Sequence, residues 1–268
     1  MTRSASHLVL IPSYNTGPRL LETVTVALAH WSPVWVVVDG SSDGSEKSLQ
    51  ALSEAECGLK VMHLPTNSGK GAAVLAGMGA AAQAKFTHAL VMDADGQHPA
   101  TSIPLFMRTA VEHPDAMVLG VPVFGTEAPA SRRVGRRAGN WWANVETLWG
   151  GVQDSLFGFR VYPLAETLRV FQRIRGGRRF DFDTVAVVRL FWEGVRPINL
   201  EVPVRYFSRA EGGVSHFRYW RDNRLLISRH IAMVLAMIPR IPSIWRCRNR
   251  ARSLARTVSA PKRQIGLE

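Results

Sequence analysis

Short apolar runs alternate with longer helix-like stretches through the first 120 residues. His7–Ile11, Val34–Val38, Leu59–Leu64, Thr87–Met92 and Ala116–Val121 read as strands. Gly17–His30, Gly44–Ala55, Gly69–Lys85 and Ser102–Glu112 read as the helices between them. Strands this continuously apolar are buried on both faces. Their alternation with helices predicts an α/β fold with a doubly wound, mostly parallel sheet.

The pattern then changes. Arg132–Gly150 turns from basic to aromatic and predicts a loop entering an amphipathic helix. Asp154–Tyr162 reads as a strand, Phe182–Trp192 as a helix and Ile198–Phe207 as a further strand. Arg218–Ile238 is a helix that Pro239 and Pro242 are expected to break. Residues after Arg246, rich in Arg, Ser and Ala, read as disordered. The organisation expected is a main domain over 1–217, an amphipathic helix over 218–245 and a basic tail over 246–268.

Charge changes this picture only at the C-terminus. The chain carries a net +12, but residues 1–204 hold 19 Lys/Arg against 18 Asp/Glu, whereas residues 205–268 hold 14 against 3. A nearly neutral body with a strongly basic end suits an anionic partner such as lipid. Nucleic acid is a poorer fit, because Cys247–Glu268 contains no aromatic residue for stacking. Two cysteines, Cys57 and Cys247, suggest no disulfide framework and a reducing compartment. His7–Ile11 is too short for a signal peptide. The apolar stretch Ile231–Ile238 falls short of the roughly 20 residues a bilayer crossing needs. A helix lying in the interface of an anionic membrane is the expectation.

The candidate chemistry sits where the predicted strands end. Ile11-Pro12-Ser13-Tyr14-Asn15 follows the first, Asp39-Gly-Ser-Ser-Asp43-Gly-Ser45 the second, and Asn67-Ser-Gly-Lys70-Gly71 the third. After the fourth comes Asp93-Ala94-Asp95-Gly-Gln97-His98. In a doubly wound sheet such loops converge on one rim. Paired carboxylates there suit a hard cation, Mg²⁺ or Mn²⁺. Asp39 suits a base or ribose, and equally a helix cap. Lys70, between glycines at a helix start, suits a phosphate, although the Walker A spacing is absent.

Taken in order, these four motifs resemble family 2 glycosyltransferases of the GT-A fold, in the branch that transfers sugars to dolichyl or polyprenyl phosphate. The likeness continues through Asp154-Ser-Leu-Phe-Gly158-Phe-Arg160, Phe180-Asp-Phe-Asp183 and Glu201–Arg205 to Arg209–His216. Gly-Gly-Val-Ser-His-Phe-Arg-Tyr-Trp-Arg-Asp-Asn, ending at Asn223, is also similar to glycosyltransferases of bacterial aryl-polyene and related lipid clusters. The resemblance implies a nucleotide-sugar donor, UDP- or GDP-linked, bound by Pro12, Tyr14, Asn15, Asp39, Lys70, Asp93, Ala94 and Asp95. It implies a divalent metal on Asp93 and Asp95 with Gln97 nearby. Arg209, Ser215 and His216 match the segment that reaches the diphosphate and the acceptor phosphate. That branch has lysine where His216 stands, and Gly-(Ser/Thr)-Arg where this chain has Gly120-Val-Pro122.

The reaction expected is an inverting, metal-dependent transfer to a lipid-like or polyprenyl-phosphate acceptor, on the cytoplasmic face of the cell membrane. A phosphate acceptor needs little base, whereas a hydroxyl needs a carboxylate, with Asp154 first and Asp181 or Asp183 next. Arg209 is expected to assist the departing diphosphate. A sugar-1-phosphate nucleotidyltransferase would want a glycine-rich basic loop after the first strand, and Ser13–Gly17 offers none.

Overall fold

The computed structural model describes residues 2–124, 130–204 and 219–259. In chain order the strands are β1 (Thr2–Arg3), β2 (His7–Ser13), β3 (Trp31–Ser32), β4 (Val34–Asp39), β5 (Leu59–Leu64), β6 (His88–Val91), β7 (Ala116–Val123), β8 (Arg160–Pro163) and β9 (Arg196–Pro203). The helices are α1 (Arg19–His30), α2 (Ser48–Ala55), α3 (Lys70–Gln83), α4 (Ile103–Glu112), α5 (Ala130–Glu146), α6 (Leu164–Gln172), α7 (Phe182–Trp192), α8 (Tyr219–Met237) and α9 (Ile241–Ser259).

A seven-stranded sheet runs in the order β5-β4-β2-β6-β8-β7-β9. Its pairings are parallel except around β8, which runs antiparallel between β6 and β7. The chain winds outward from β2 through β4 to β5, then returns to β2's other side as β6. The topological switch therefore falls between β2 and β6, where open α/β sheets hold ligands beyond the carboxyl ends of the strands. The carboxyl ends of β2 and β6 carry Pro12–Asn15 and Asp93–Asp95.

Apolar side chains pack against each face of the sheet. One layer joins Leu8, Leu10 and Val37 to Ala73, Val74 and Met78 of α3, and to Phe171, Phe182 and Phe191 of α6 and α7. The other joins Val9, Ile11 and Val36 to Leu20 and Val24 of α1 and to Phe106 and Met107 of α4. Val34–Val38 and Leu8–Ile11 are buried throughout, as a doubly covered sheet requires.

Four expectations are corrected. The strand predicted over Asp154–Tyr162 begins only at Arg160, because Asp154–Phe159 forms a loop whose amides turn onto Asp154. Arg132 lies in a helix that starts at Ala130, not in a loop. Pro239 and Pro242 interrupt the α-helix, which ends at Met237, but do not end the helical segment: a 3₁₀ turn over Ile238–Arg240 tightens the chain, and α9 follows directly. A proline in a helical first turn forfeits no hydrogen bond of that turn. Finally, residues 246–259 are helical rather than disordered, because Ile244, Cys247 and Ala251 form one apolar face against the core.

This last pair of corrections lengthens the apolar element. Arg224–Ser253 includes an 18-residue window of mean hydropathy 1.4, so length and composition alone allow a bilayer crossing that Ile231–Ile238 by itself does not. Its buried face is fastened to the body: Arg229 Nε lies 2.8 Å from Asp181 and His230 Nδ1 lies 2.8 Å from Glu146. Its outward face carries Ile227, Ile231, Leu235, Ile238, Ile241 and Trp245, all exposed.

Candidate active site

The β2–α1, β4–α2 and β5–α3 loops are laced together by polar contacts. Asn15 takes a left-handed conformation (φ 45°), its side-chain oxygen accepts from Ser42 N at 2.8 Å, and its amide donates to Ser41 Oγ. Gly17 N donates to Asp43 at 2.9 Å. Pro12 is buried in β2, and Tyr14 and Asn15 sit beyond its end, beside the Ser41–Asp43 turn. Asp39, almost fully buried, accepts from Ser68 N at 2.8 Å and from Gly69 N at 2.7 Å. The loop immediately before α3 thus hangs on one carboxylate, and Lys70 is the next residue.

Replacement Asp39→Ala removes two charge-assisted hydrogen bonds, together worth on the order of 2–3 kcal/mol. Nucleoside diphosphate binding, measured by titration calorimetry, is expected to weaken by about tenfold or more. Unchanged affinity would restrict Asp39 to capping α3.

Lys70 is the hub of the rim. Its ammonium lies 2.7 Å from Asp93 Oδ1 and 2.8 Å from Asp183 Oδ2, joining the start of α3 to the end of β6 and the first turn of α7. Burial opposes the charge, but Asp183 and then Asp93 outweigh it and raise the lysine above its ordinary value. Asp93 in turn is held below the usual carboxylate range: burial pushes it up, and Lys70 and then His98 pull it down further. His98 Nδ1 accepts from Asp93 N at 3.0 Å, and burial holds the imidazole below its ordinary value. Ala94 is buried, and its carbonyl accepts from Thr23 of α1.

Asp95 behaves oppositely to Asp93. Burial first, and the Asp93 charge second, raise its carboxyl above the ordinary value. Its Oδ1 accepts from Gln97 N at 3.0 Å. The pair is thus an anionic site short of positive charge. Among the described residues no cluster of three or more His, Cys, Asp or Glu side chains converges as a closed metal cage. Two carboxylates still fit a hard cation that keeps water and takes its remaining ligands from substrate phosphates. Space supports the same reading: a Cβ on Gly158 would stand 2.9 Å from Asp93 Oδ2 and 2.7 Å from Lys70 Nζ, so the bare backbone keeps this approach open.

Asp154 is buried and saturated. Arg136 Nη1 reaches both its oxygens at 2.7 Å, Asn140 donates at 3.0 Å, and the amides of Leu156 and Phe157 donate at 2.9 and 2.7 Å. Burial would raise it, but Arg136 and Asn140 prevail and lower it. A carboxylate so engaged has little capacity left to take a proton. Asp183 differs: Oδ2 meets Lys70, while Oδ1 is buried with no hydrogen-bond partner among the described residues. Arg160, wholly buried, ties the two regions by donating to the carbonyls of Asp183 (2.7 Å) and Asp154 (3.2 Å). Arg209, Ser215 and His216 lie outside the described residues.

Sequence reasoning missed Arg136, Asn140, His98 and Arg160. Arg136 and Asn140 stand at i, i+4, which places them on one helical face; the signal was hidden by reading that segment's start as a loop. His98 was visible only as a neighbour of the Asp93/Asp95 motif.

Residues 8–171 match the model of the glycosyl transferase family 2 domain, and the chain belongs to that family. It is a glycosyltransferase of the GT-A fold. It is 28% identical over 212 residues to the undecaprenyl-phosphate mannosyltransferase of Micrococcus luteus, covering 76% of this chain and 85% of that one. It is 29% identical over 215 residues to the polyprenol monophosphomannose synthase of Mycolicibacterium smegmatis, covering 78% and 79%. Among solved structures, glucosyl-3-phosphoglycerate synthase from Mycobacterium tuberculosis, in complex with Mn²⁺, UDP and glucosyl-3-phosphoglycerate, superposes with a TM-score of 0.61 at 14% identity, over 87% of this chain and 80% of that one.

Proposed function

We propose that this glycosyltransferase moves a sugar, with inversion, from a UDP- or GDP-linked donor to a polyprenyl-phosphate or related lipid acceptor at an anionic membrane surface, on the cytoplasmic face. The observation that carries the reading is that a helix with an apolar outward stripe is fastened, through Arg229, to the loop that abuts Lys70 at the rim. The names of the relatives above point to the same acceptor class.

The donor's base and ribose would lie against the laced loops of Pro12, Tyr14, Asn15 and Asp39, with its diphosphate toward Asp93, Ala94 and Asp95. Those two carboxylates, with Gln97, would hold Mg²⁺ or Mn²⁺. When bound, the cation supplies Lewis-acid stabilisation of the charge that grows on the leaving diphosphate. Lys70 keeps Asp93 ionised and fixed in place, and it stays charged in doing so. Arg136, clamped by Asp154 beside Phe124 and Phe157, brings a guanidinium to the same loop cluster. It offers a phosphate contact that Gly120-Val-Pro122 lacks, and Arg209, Ser215 and His216 are assigned to the same task. Asp154 is therefore an anchor for Arg136 rather than a base. A phosphate acceptor attacks without deprotonation, which fits this arrangement. If a hydroxyl is the acceptor, the buried oxygen of Asp183, unpartnered among the described residues, is the candidate base.

On this reading the outer stripe lies on the membrane rather than through it. A crossing would carry Arg229, His230 and Arg240 into hydrocarbon, at a few kcal/mol for each charged group. Lying flat lets the same helix keep its ion pair to Asp181 and its bond to Glu146.

The test is a panel of nucleotide sugars with Mg²⁺ or Mn²⁺, offered polyprenyl phosphate in anionic liposomes or a soluble acceptor. Transfer to the lipid phosphate is expected. Transfer to soluble acceptors alone would overturn the acceptor assignment.

A further inference from the structure

We propose that Arg229 and Asp181 form a positioning pair, through which helix α8 sets Lys70 against Asp93 and Asp183. The inference rests on the site proposed above but concerns residues outside it. Asp181 is almost fully buried and ends the loop before α7. Its Oδ2 accepts from Gly177 N at 2.9 Å and from Arg229 Nε at 2.8 Å, and its Oδ1 accepts from Arg179 N at 3.0 Å. One carboxylate therefore folds residues 177–181 and receives the only contact the Arg229 guanidinium is seen to make with an acid among the described residues. The guanidinium also lies over Gly176, where an added Cβ would meet it at 3.2 Å.

This loop is interlocked with the first turn of α3. Arg178 O accepts from Ala72 N at 2.9 Å. A Cβ on Gly71 would stand 2.2 Å from Gly177 O, and one on Gly69 would stand 2.8 Å from Arg178 O, so the two backbones are in direct contact on either side of Lys70. Gly177 and Gly69 hold positive φ angles of 73° and 100°, which fix the approach. Asp183, two residues past Asp181, takes Lys70's other bond. A shift of α8 that pulls on Arg229 is thus transmitted through Asp181 and the 176–179 loop to the lysine, without touching the substrate.

The experiment compares wild type with Arg229→Gln, Asp181→Asn and Arg229→Lys by amide hydrogen exchange and by steady-state kinetics. Arg229 is partly exposed, so its glutamine variant is expected to fold, and thermal melting verifies this. Exchange in a peptide spanning 66–76 is expected to quicken by roughly fivefold in Arg229→Gln and Asp181→Asn, because a local opening is made easier. A peptide spanning 86–92 of β6 serves as the unaffected reference. The turnover number should fall about tenfold while the KM for the nucleotide sugar holds within roughly twofold, the mark of a lost transition-state alignment. Arg229→Lys should recover part of both. Unchanged exchange over 66–76 overturns the pair's role whatever the activity, and so does faster exchange with wild-type turnover. If the wild type transfers from no donor, the functional reading fails, and the exchange result still decides the coupling.

Discussion

Asp95→Ala is expected to abolish sugar transfer, with a loss on the order of 10²-fold or more, if, as proposed, it helps to hold a cation that offsets charge on the leaving group. Asp93→Ala should fall nearly as far. Their stabilities should differ, and this separates chemistry from folding. Burial and the adjacent Asp93 raise the Asp95 carboxyl, so its ionised form opposes the folded state near neutral pH. Removing it should leave the melting temperature unchanged or higher. Asp93 is stabilised by Lys70 and His98, and its removal leaves the buried ammonium with Asp183 alone. Asp93→Ala should therefore melt lower. Transfer assays with each variant and with excess EDTA, alongside calorimetric melts, check both halves. Full activity of either variant, or in EDTA, would sink the metal reading.

The rise at Asp95 has a defined pH range. Its folded carboxyl titrates above its unfolded counterpart, so the penalty is absent in acid, where both are protonated. It grows as pH passes upward through the unfolded value and is complete above the folded one. The Asp95→Ala protein should consequently gain on wild type at neutral pH and not at low pH.

The sheet and the rim were legible because both rest on local signals. Runs such as Val34–Val38, short and rich in β-branched residues, read as buried strands, and Asp39 and Asp93 fall directly where the apolar runs stop. What these carboxylates touch was not legible. Lys70 and Asp183 are separated by 113 residues, and nothing near either names the other. Asp154 reads as a candidate base because it precedes Gly158 and Arg160; its hydrogen-bond partners Arg136 and Asn140 come from a helix packed alongside. The C-terminal segment misled for a different reason. Arg246, Arg250 and Arg252 are exposed, and arginine dominates the composition, whereas Ile244, Cys247 and Ala251 carry the packing. α6 is not announced by any connecting loop, since it begins directly after Pro163, the last residue of β8.

The remaining large effect concerns the outer stripe of α8 and the turn that follows it. Deleting the whole segment would be uninformative, because Met233, Met237 and Ile244 on its inner face belong to the core. Substitution on the outer face isolates the surface. Ile231, Leu235 and Ile238 are more than half exposed and recur at helical spacing. Exposed aromatic side chains, Trp141 and Trp142 on the neighbouring α5 and Trp245 on α9, suit the interfacial region of a bilayer. Arg240, Arg246, Arg248, Arg250 and Arg252 line the same end of the chain, and each basic residue near an anionic surface contributes about 1 kcal/mol. The triple change Ile231→Gln, Leu235→Gln, Ile238→Gln removes three apolar side chains, each worth about 1 kcal/mol or more if buried in lipid. Affinity for anionic liposomes should fall by on the order of 10²-fold, with the melting temperature unchanged and with what binding remains more sensitive to salt. Co-sedimentation at low and near-molar salt measures this. Equal pelleting with neutral and anionic lipid would remove the role given to the basic residues. No loss in the triple variant would show that the stripe is covered by protein rather than by membrane. The acceptor would then have to reach the rim from solution.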